Sequence, residues 1–156
     1  GLQKVFRVGA RLVRLHLELV DLQELRPLGN SAGNPVYYVH GTDLGYTNRG
    51  QLLGAWIGPG ADSQTIAVDV FHRGGRIGGY LERVRRNEVY YWTVIEPTVG
   101  DFAHDTEVAL GVRQALAVGP FEVTWEAAAA YRWKRDFIRD EPNLKVVLGV
   151  ALPLGR

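Results

Sequence analysis

FEVTWEAAAAYRWK, residues 121–134, is the stretch on which the fold turns. Phe121, Val123, Trp125, Ala127, Ala129, Tyr131 and Trp133 occupy every second position, with Glu122, Thr124, Glu126, Arg132 and Lys134 between them. A helix brings residues three and four apart onto one face, whereas an extended chain brings alternate residues there. The stretch is therefore a strand with one apolar and one charged side. Its apolar side is graded as well, with aromatic rings at both ends and alanine in the middle.

Working outward, the same period recurs. TEVALGVRQALAV (106–118) reads as a strand joined to it by a tight Gly119–Pro120 turn, and LKVVLGVALPLGR closes the chain with Val146, Leu148, Val150 and Leu152 aligned. DFIRDEPN (136–143) between them reads as a loop. Upstream, TIAVDVFHR (65–73) and RIGGYLERVRR (76–86) flank a Gly74–Gly75 hairpin signal. Ile77, Gly79 and Leu81 face one way there, and Arg76, Tyr80, Glu82 and Arg86 the other. VFRVGARLVRLHLELVDL (5–22) aligns Phe6, Val8, Ala10 and Leu12, then flips phase to Val13, Leu15, Leu17 and Leu19, as a β-bulge inside one strand would make it do. LGNSAGNP (28–35) is turn or loop, Val36–Tyr46 a short strand, VYYWTVI (89–95) a continuation or separate strand, and EPTVGDFAHD (96–105) a loop. The total is seven or eight strands, joined by alternating tight turns and longer loops, in one domain over 1–156 with 41–63 as an inserted glycine-rich loop.

Composition narrows the function. With 18 basic and 17 acidic residues the net charge is +1, which argues against a nucleic-acid surface. There is no cysteine, hence no disulfide framework, thiol nucleophile or cysteine–zinc site. Methionine is also absent, so Gly1 is expected to open a processed, cut or engineered product from which any signal peptide has gone. No apolar run approaches the roughly 20 residues of a membrane helix, but a transmembrane strand needs only about 9–11 residues of alternating character.

An amphipathic strand has two possible homes. In a soluble barrel the apolar residues point inward around a ligand, whereas in an outer-membrane barrel they point out to lipid. Aromatic handles at both ends of 121–133, charged residues opposite, and tight turns alternating with longer loops favour the membrane arrangement. The expected fold is an all-β, antiparallel transmembrane β-barrel.

GYTNRGQLLGAWIGPG (45–60) is too broken for a helix and too rich in large polar and aromatic groups for a plain linker. HGTDLGYTNRGQLLGAWIGPGADSQ (40–64), followed by a strand and LERVRRNEVYYW (81–92), resembles the capsule assembly Wzi family of Gram-negative outer membranes. The resemblance rests on GY-x-x-RG-Q at 45–51, the glycines and proline at 54–60 and the hairpin after them, and it covers residues 36–92. It implies a larger barrel of about eighteen strands, of which this chain supplies fewer than half, from the C-terminal part. It also implies a lectin-like protein of the bacterial outer membrane that holds capsular or other acidic polysaccharide at the cell surface. Tyr46 and Trp56 offer flat faces to sugar C–H groups, Arg49 a fork to a uronate, and Gln51 both a donor and an acceptor. Alternatively the loop is structural, folded into the lumen with Arg49 paired to Glu82 or Asp69.

Arg83, Arg85 and Arg86 form a basic cluster, with Arg73 and Arg76 beside the turn. On a lumen wall Arg83 and Arg85 would draw in an anionic glycan; the simpler reading pairs them with Glu82, Glu88, Glu122 and Glu126. His104, Asp105 and Glu107 suggest acid–base or metal chemistry only weakly, since charges at a loop end explain them, and His16, His40 and His72 are scattered. No serine, histidine and aspartate fall in a nucleophile motif and no phosphate loop is present, so no catalytic residue, metal or cofactor is expected. The expected partners are polysaccharide and outer-membrane lipid. The alternatives are a small outer-membrane pore or scaffold without a specific ligand, and a soluble β-barrel that binds an apolar ligand.

Overall fold

A computed structural model describes residues 1–22, 47–48, 51–52, 57–58, 60–100 and 103–152. The strands are β1 (Leu2–Val8), β2 (Arg11–Asp21), β3 (Thr47–Asn48), β4 (Gln51–Leu52), β5 (Asp62–His72), β6 (Gly75–Arg86), β7 (Asp105–Val118), β8 (Phe121–Arg135) and β9 (Arg139–Ala151). Seven of them form one antiparallel sheet in the order β1-β2-β5-β6-β7-β8-β9, and β3 pairs with β4 separately. The chain is all-β with very little helix. The sheet is open: among the described residues no strand lies beyond β1 or β9.

Register explains why alternation was so strict. Opposed residues share a face, and the pairs Leu15↔Val68, Val68↔Gly79, Gly79↔Val112, Val112↔Ala127 and Ala127↔Val146 run straight across six strands. The row before it is Leu17, Ile66, Leu81, Leu110, Ala129 and Leu144. The row after it is Val13, Val70, Ile77, Gln114, Trp125 and Leu148. Gln114 is the one polar group in these rows, and its side-chain oxygen accepts the Trp125 indole N–H at 2.8 Å. Among the described residues nothing covers this apolar face: Leu110 is 65% exposed, Leu144 74% and Leu148 78%. The opposite, polar face carries Arg14, Asp69, Arg113 and Glu126 in one row and His16, Ala67, Tyr80, Gly111, Ala128 and Lys145 in the next.

Several boundaries differ from the sequence reading. The phase flip in 5–22 is a turn at Gly9–Ala10 between β1 and β2 rather than a bulge, with Gly9 at φ 59° and Phe6 opposite Val13. The hairpin expected at Gly74–Gly75 turns at Arg73–Gly74, where the His72 ring nitrogen accepts the Gly74 N–H at 3.2 Å. Most of 136–143 is strand, since the turn occupies only 136–138 and Phe137 takes φ 61° there. Residues 89–95, expected as strand, are helical: an α turn at Glu88–Tyr90, a π turn at Tyr91–Ile95 and an α turn at Glu96–Val99. Asn87 at φ 57° diverts the chain out of the sheet just after the last β6–β7 pair, Arg86↔Asp105, so the β-prone run has no strand to pair with. The short strand expected at 36–46 lies outside the described residues, and Asp62 and Ser63, assigned to the inserted loop, already belong to β5.

The small buried cluster sits at the end of the sheet that bears the long connections. Ile57, Ala61 and Val84 are buried with Val20 and Leu22 packed on them, and Ile57 lines a cavity on the polar face. Leu22 N–H donates to Ala61 C=O at 2.9 Å and Gly60 N–H to Leu22 C=O at 3.1 Å, which ties the two ends of the longest connection together.

Candidate functional site

The polar face is a mesh of charge pairs strung across strands. Asp69 on β5 is fully buried and accepts from two arginines, Arg14 of β2 (2.7 Å) and Arg113 of β7 (3.1 Å). Opposite it, Gly78 leaves the room this needs, since a Cβ there would lie 2.2 Å from Asp69 Oδ1. Asp105, also fully buried, takes both arms of Arg132 at 2.6 Å and the backbone N–H of Asp136 at 3.0 Å, fixing the β8–β9 turn to β7. Arg86 reaches Glu107 at 3.4 Å. Charges stripped of water hold only when paired and hydrogen-bonded, and these are.

Between these pairs lies a cavity of about 580 Å³ whose lining includes His16, Glu18, Thr65, Tyr80, Glu82, Glu126 and Lys145. The Tyr80 ring lies flat over Gly111, where a Cβ would come within 2.3 Å of it. Its hydroxyl donates to Glu126 Oε1 at 2.8 Å, and Lys145 Nζ donates to the same oxygen at 2.9 Å. Arg113 stands 5.9 Å from the ring centroid. Glu82 accepts the Thr65 hydroxyl at 3.1 Å, and among the described residues no cation pairs with it.

Arg83 and Arg85 are not on this face. They share the parity of Ile77 and Leu81, so they stand on the apolar face at its long-connection end, in rows that continue to Tyr131 and Trp133. The alternation of β6 sets this placement, opposite the face that bears Glu82 and Arg86. Asp62 holds both: Arg83 Nη1 donates to it at 2.9 Å and Arg85 Nε at 2.7 Å, and Arg83 also donates to Gln64 at 2.7 Å. Of the four glutamates considered as partners, Glu88 contacts Arg85 at 3.4 Å. Glu88 in turn lies 2.7 Å from His104 Nδ1, and the His104 ring stacks on Tyr91 at 3.9 Å.

His104, Asp105 and Glu107 therefore go to three different partners and form no acid–base unit. Among the described residues no group of three or more His, Cys, Asp or Glu side chains is placed to hold a metal ion, and no helix is long and apolar enough to cross a membrane. Tyr46, Arg49 and Trp56 lie outside the described residues, as does the side chain of Gln51; the Gln51 backbone belongs to β4, opposite Asn48. The residues that sequence reasoning missed are Tyr80, Glu126 and Lys145. A glycine inside an otherwise regular strand, Gly111, was the available signal, because such a glycine marks a close approach. No family model, no curated protein and no solved structure matches the chain.

Proposed function

We propose that this sheet is part of the wall of a bacterial outer-membrane β-barrel, with its apolar face against lipid and its polar face toward a wet interior. One observation carries the reading. Among the described residues the side of the sheet that no other element covers is the apolar side, and its three central rows carry no ion pair, whereas Asp69 and Asp105 hold their arginines on the other side. A soluble domain rarely leaves contiguous apolar patches beyond about 300–600 Å², whereas hydrocarbon solvates such a face. Dimensions agree: Phe121 to Trp133 on β8 is thirteen residues, roughly 40 Å along the strand and about 30 Å in height at a barrel tilt of about 40°.

The function that goes with this wall is the non-catalytic holding of capsular or other acidic polysaccharide at the cell surface. The resemblance of residues 36–92 supports that ligand class, and the connection before β5 is the segment that would present it, since Ile57 near its end lines the cavity on the polar side and is buried with Ala61. Folding in detergent micelles and in plain buffer, followed by circular dichroism and heat-modifiable gel mobility, tests the wall. Folding only in micelles is expected, and a monomeric β-protein in plain buffer overturns it. Arg49→Ala tests the ligand, with reduced capsule retention expected from a normally assembled barrel and unchanged retention ruling the loop out as a contact.

A further inference from the structure

We infer that Tyr80, laid on Gly111, is the platform of a binding subsite for an uncharged sugar ring on the polar face. The inference rests on the glycan reading above and assigns it a place. Half-buried aromatic rings lying flat in a cavity suit ligands with a flat apolar side, and a pyranose has one in its axial C–H groups. Gly111 supports one side of the ring, while the ring itself lines the cavity of about 580 Å³, within the range of about 300–1,000 Å³ typical of small-ligand sites. Around the ring stand both kinds of hydrogen-bonding partner that hydroxyl groups need. Glu82 and Glu126 accept, and Lys145 and Arg113 donate.

Charge selects among ligands of that shape. Among the described residues Glu82 has the Thr65 hydroxyl as its partner and no cation, and Glu18 has the His16 ring nitrogen at 3.8 Å. A uronate carboxylate entering here would meet the carboxylates of Glu18 and Glu82, neither of which has a Lys or Arg partner among the described residues. An ammonium fares no better over the ring, because Arg113 and Lys145 flank it. A neutral polyhydroxyl ring meets each of these groups with the complementary end of an O–H dipole. Arg113 and Lys145 are themselves engaged, with Asp69 at 3.1 Å and Glu126 at 2.9 Å, so neither stands free as an anion trap.

The test titrates the folded full chain with maltohexaose and, separately, with oligogalacturonate of matched length, following binding by calorimetry and by the near-ultraviolet tyrosine difference spectrum. Maltohexaose is expected to bind with a tyrosine difference signal that Tyr80→Phe alters or abolishes. Gly111→Ala, which forces the ring off its ledge, is expected to weaken maltohexaose binding at least tenfold. If that variant does not fold, the tyrosine signal decides alone. Maltohexaose binding with a spectrum indifferent to Tyr80→Phe overturns the subsite. Oligogalacturonate binding without maltohexaose binding overturns it too, while leaving the glycan reading in place. A folded chain that binds neither overturns both.

Discussion

The two faces of this one sheet solve the same problem in opposite ways. On the polar face charge pairs run from strand to strand, and two aspartates, Asp69 and Asp105, are wholly buried by the arginines they hold. On the apolar face the side chains of three consecutive rows are left largely uncovered among the described residues, with Leu144 74% and Leu148 78% exposed. The backbone is shared, so the difference lies in the side chains alone. It teaches that the polar face finds partners within the sheet while the apolar face meets none among the described residues, which is the contrast that the proposed lipid contact accounts for.

The heaviest blow to that contrast falls on Asp69. Asp69→Asn leaves Arg14 and Arg113 without their shared carboxylate in a buried position, and the expected loss is about 3–5 kcal/mol of folding stability. Urea titration of the variant against the parent, in whichever medium folds the parent, measures it; a loss within error would mean the mesh is ornamental. Next comes Val112→Arg, in the central row of the apolar face. Against lipid it is expected to cost about 2–4 kcal/mol, whereas an exposed position in water changes by less than about 0.5 kcal/mol. Folding yield into vesicles across a denaturant series separates the two. The smallest effect is expected at Arg83, partly exposed at the rim and sharing Asp62 with Arg85. Arg83→Ala is expected to shift the midpoint by less than about 1 kcal/mol, because Arg85 still compensates the carboxylate. A larger loss would move the rim into the structural mesh.

Much of the sheet was legible in the sequence because alternation is a local signal. β7 and β8 could be read nearly to their ends, and the two-sided character of 121–134 gave away the existence of two chemically distinct faces. What alternation cannot show is where the chain turns without a strong turn signal. Gly9–Ala10 looked like a change of phase, and the aromatic, β-branched run at 89–95 looked like strand because the loss of a pairing partner after Arg86 is not a property of the run itself. Arg83 and Arg85 share the parity of Ile77 and Leu81, so their face was legible in the alternation of β6; Asp62, the carboxylate that holds them, lies across the β5–β6 register and was not. The Tyr80 platform was out of reach for a third reason: Gly111 becomes its ledge only through the β6–β7 register, which joins residues 31 positions apart.

The open edges of the sheet carry an arithmetic of their own. Each antiparallel pairing reverses the chain direction, and six successive reversals leave β9 pointing the same way as β1. A ring of strands that alternate up and down cannot close when the two that must meet point alike. Antiparallel closure therefore takes an odd number of further strands, and the completed ring then has an even number. In the proposed barrel, a second copy standing upright beside the first would leave two parallel seams, and an inverted copy would send its long connections to the opposite end. The proposal thus carries a parity condition on whatever completes the sheet, and a strand count checks that condition.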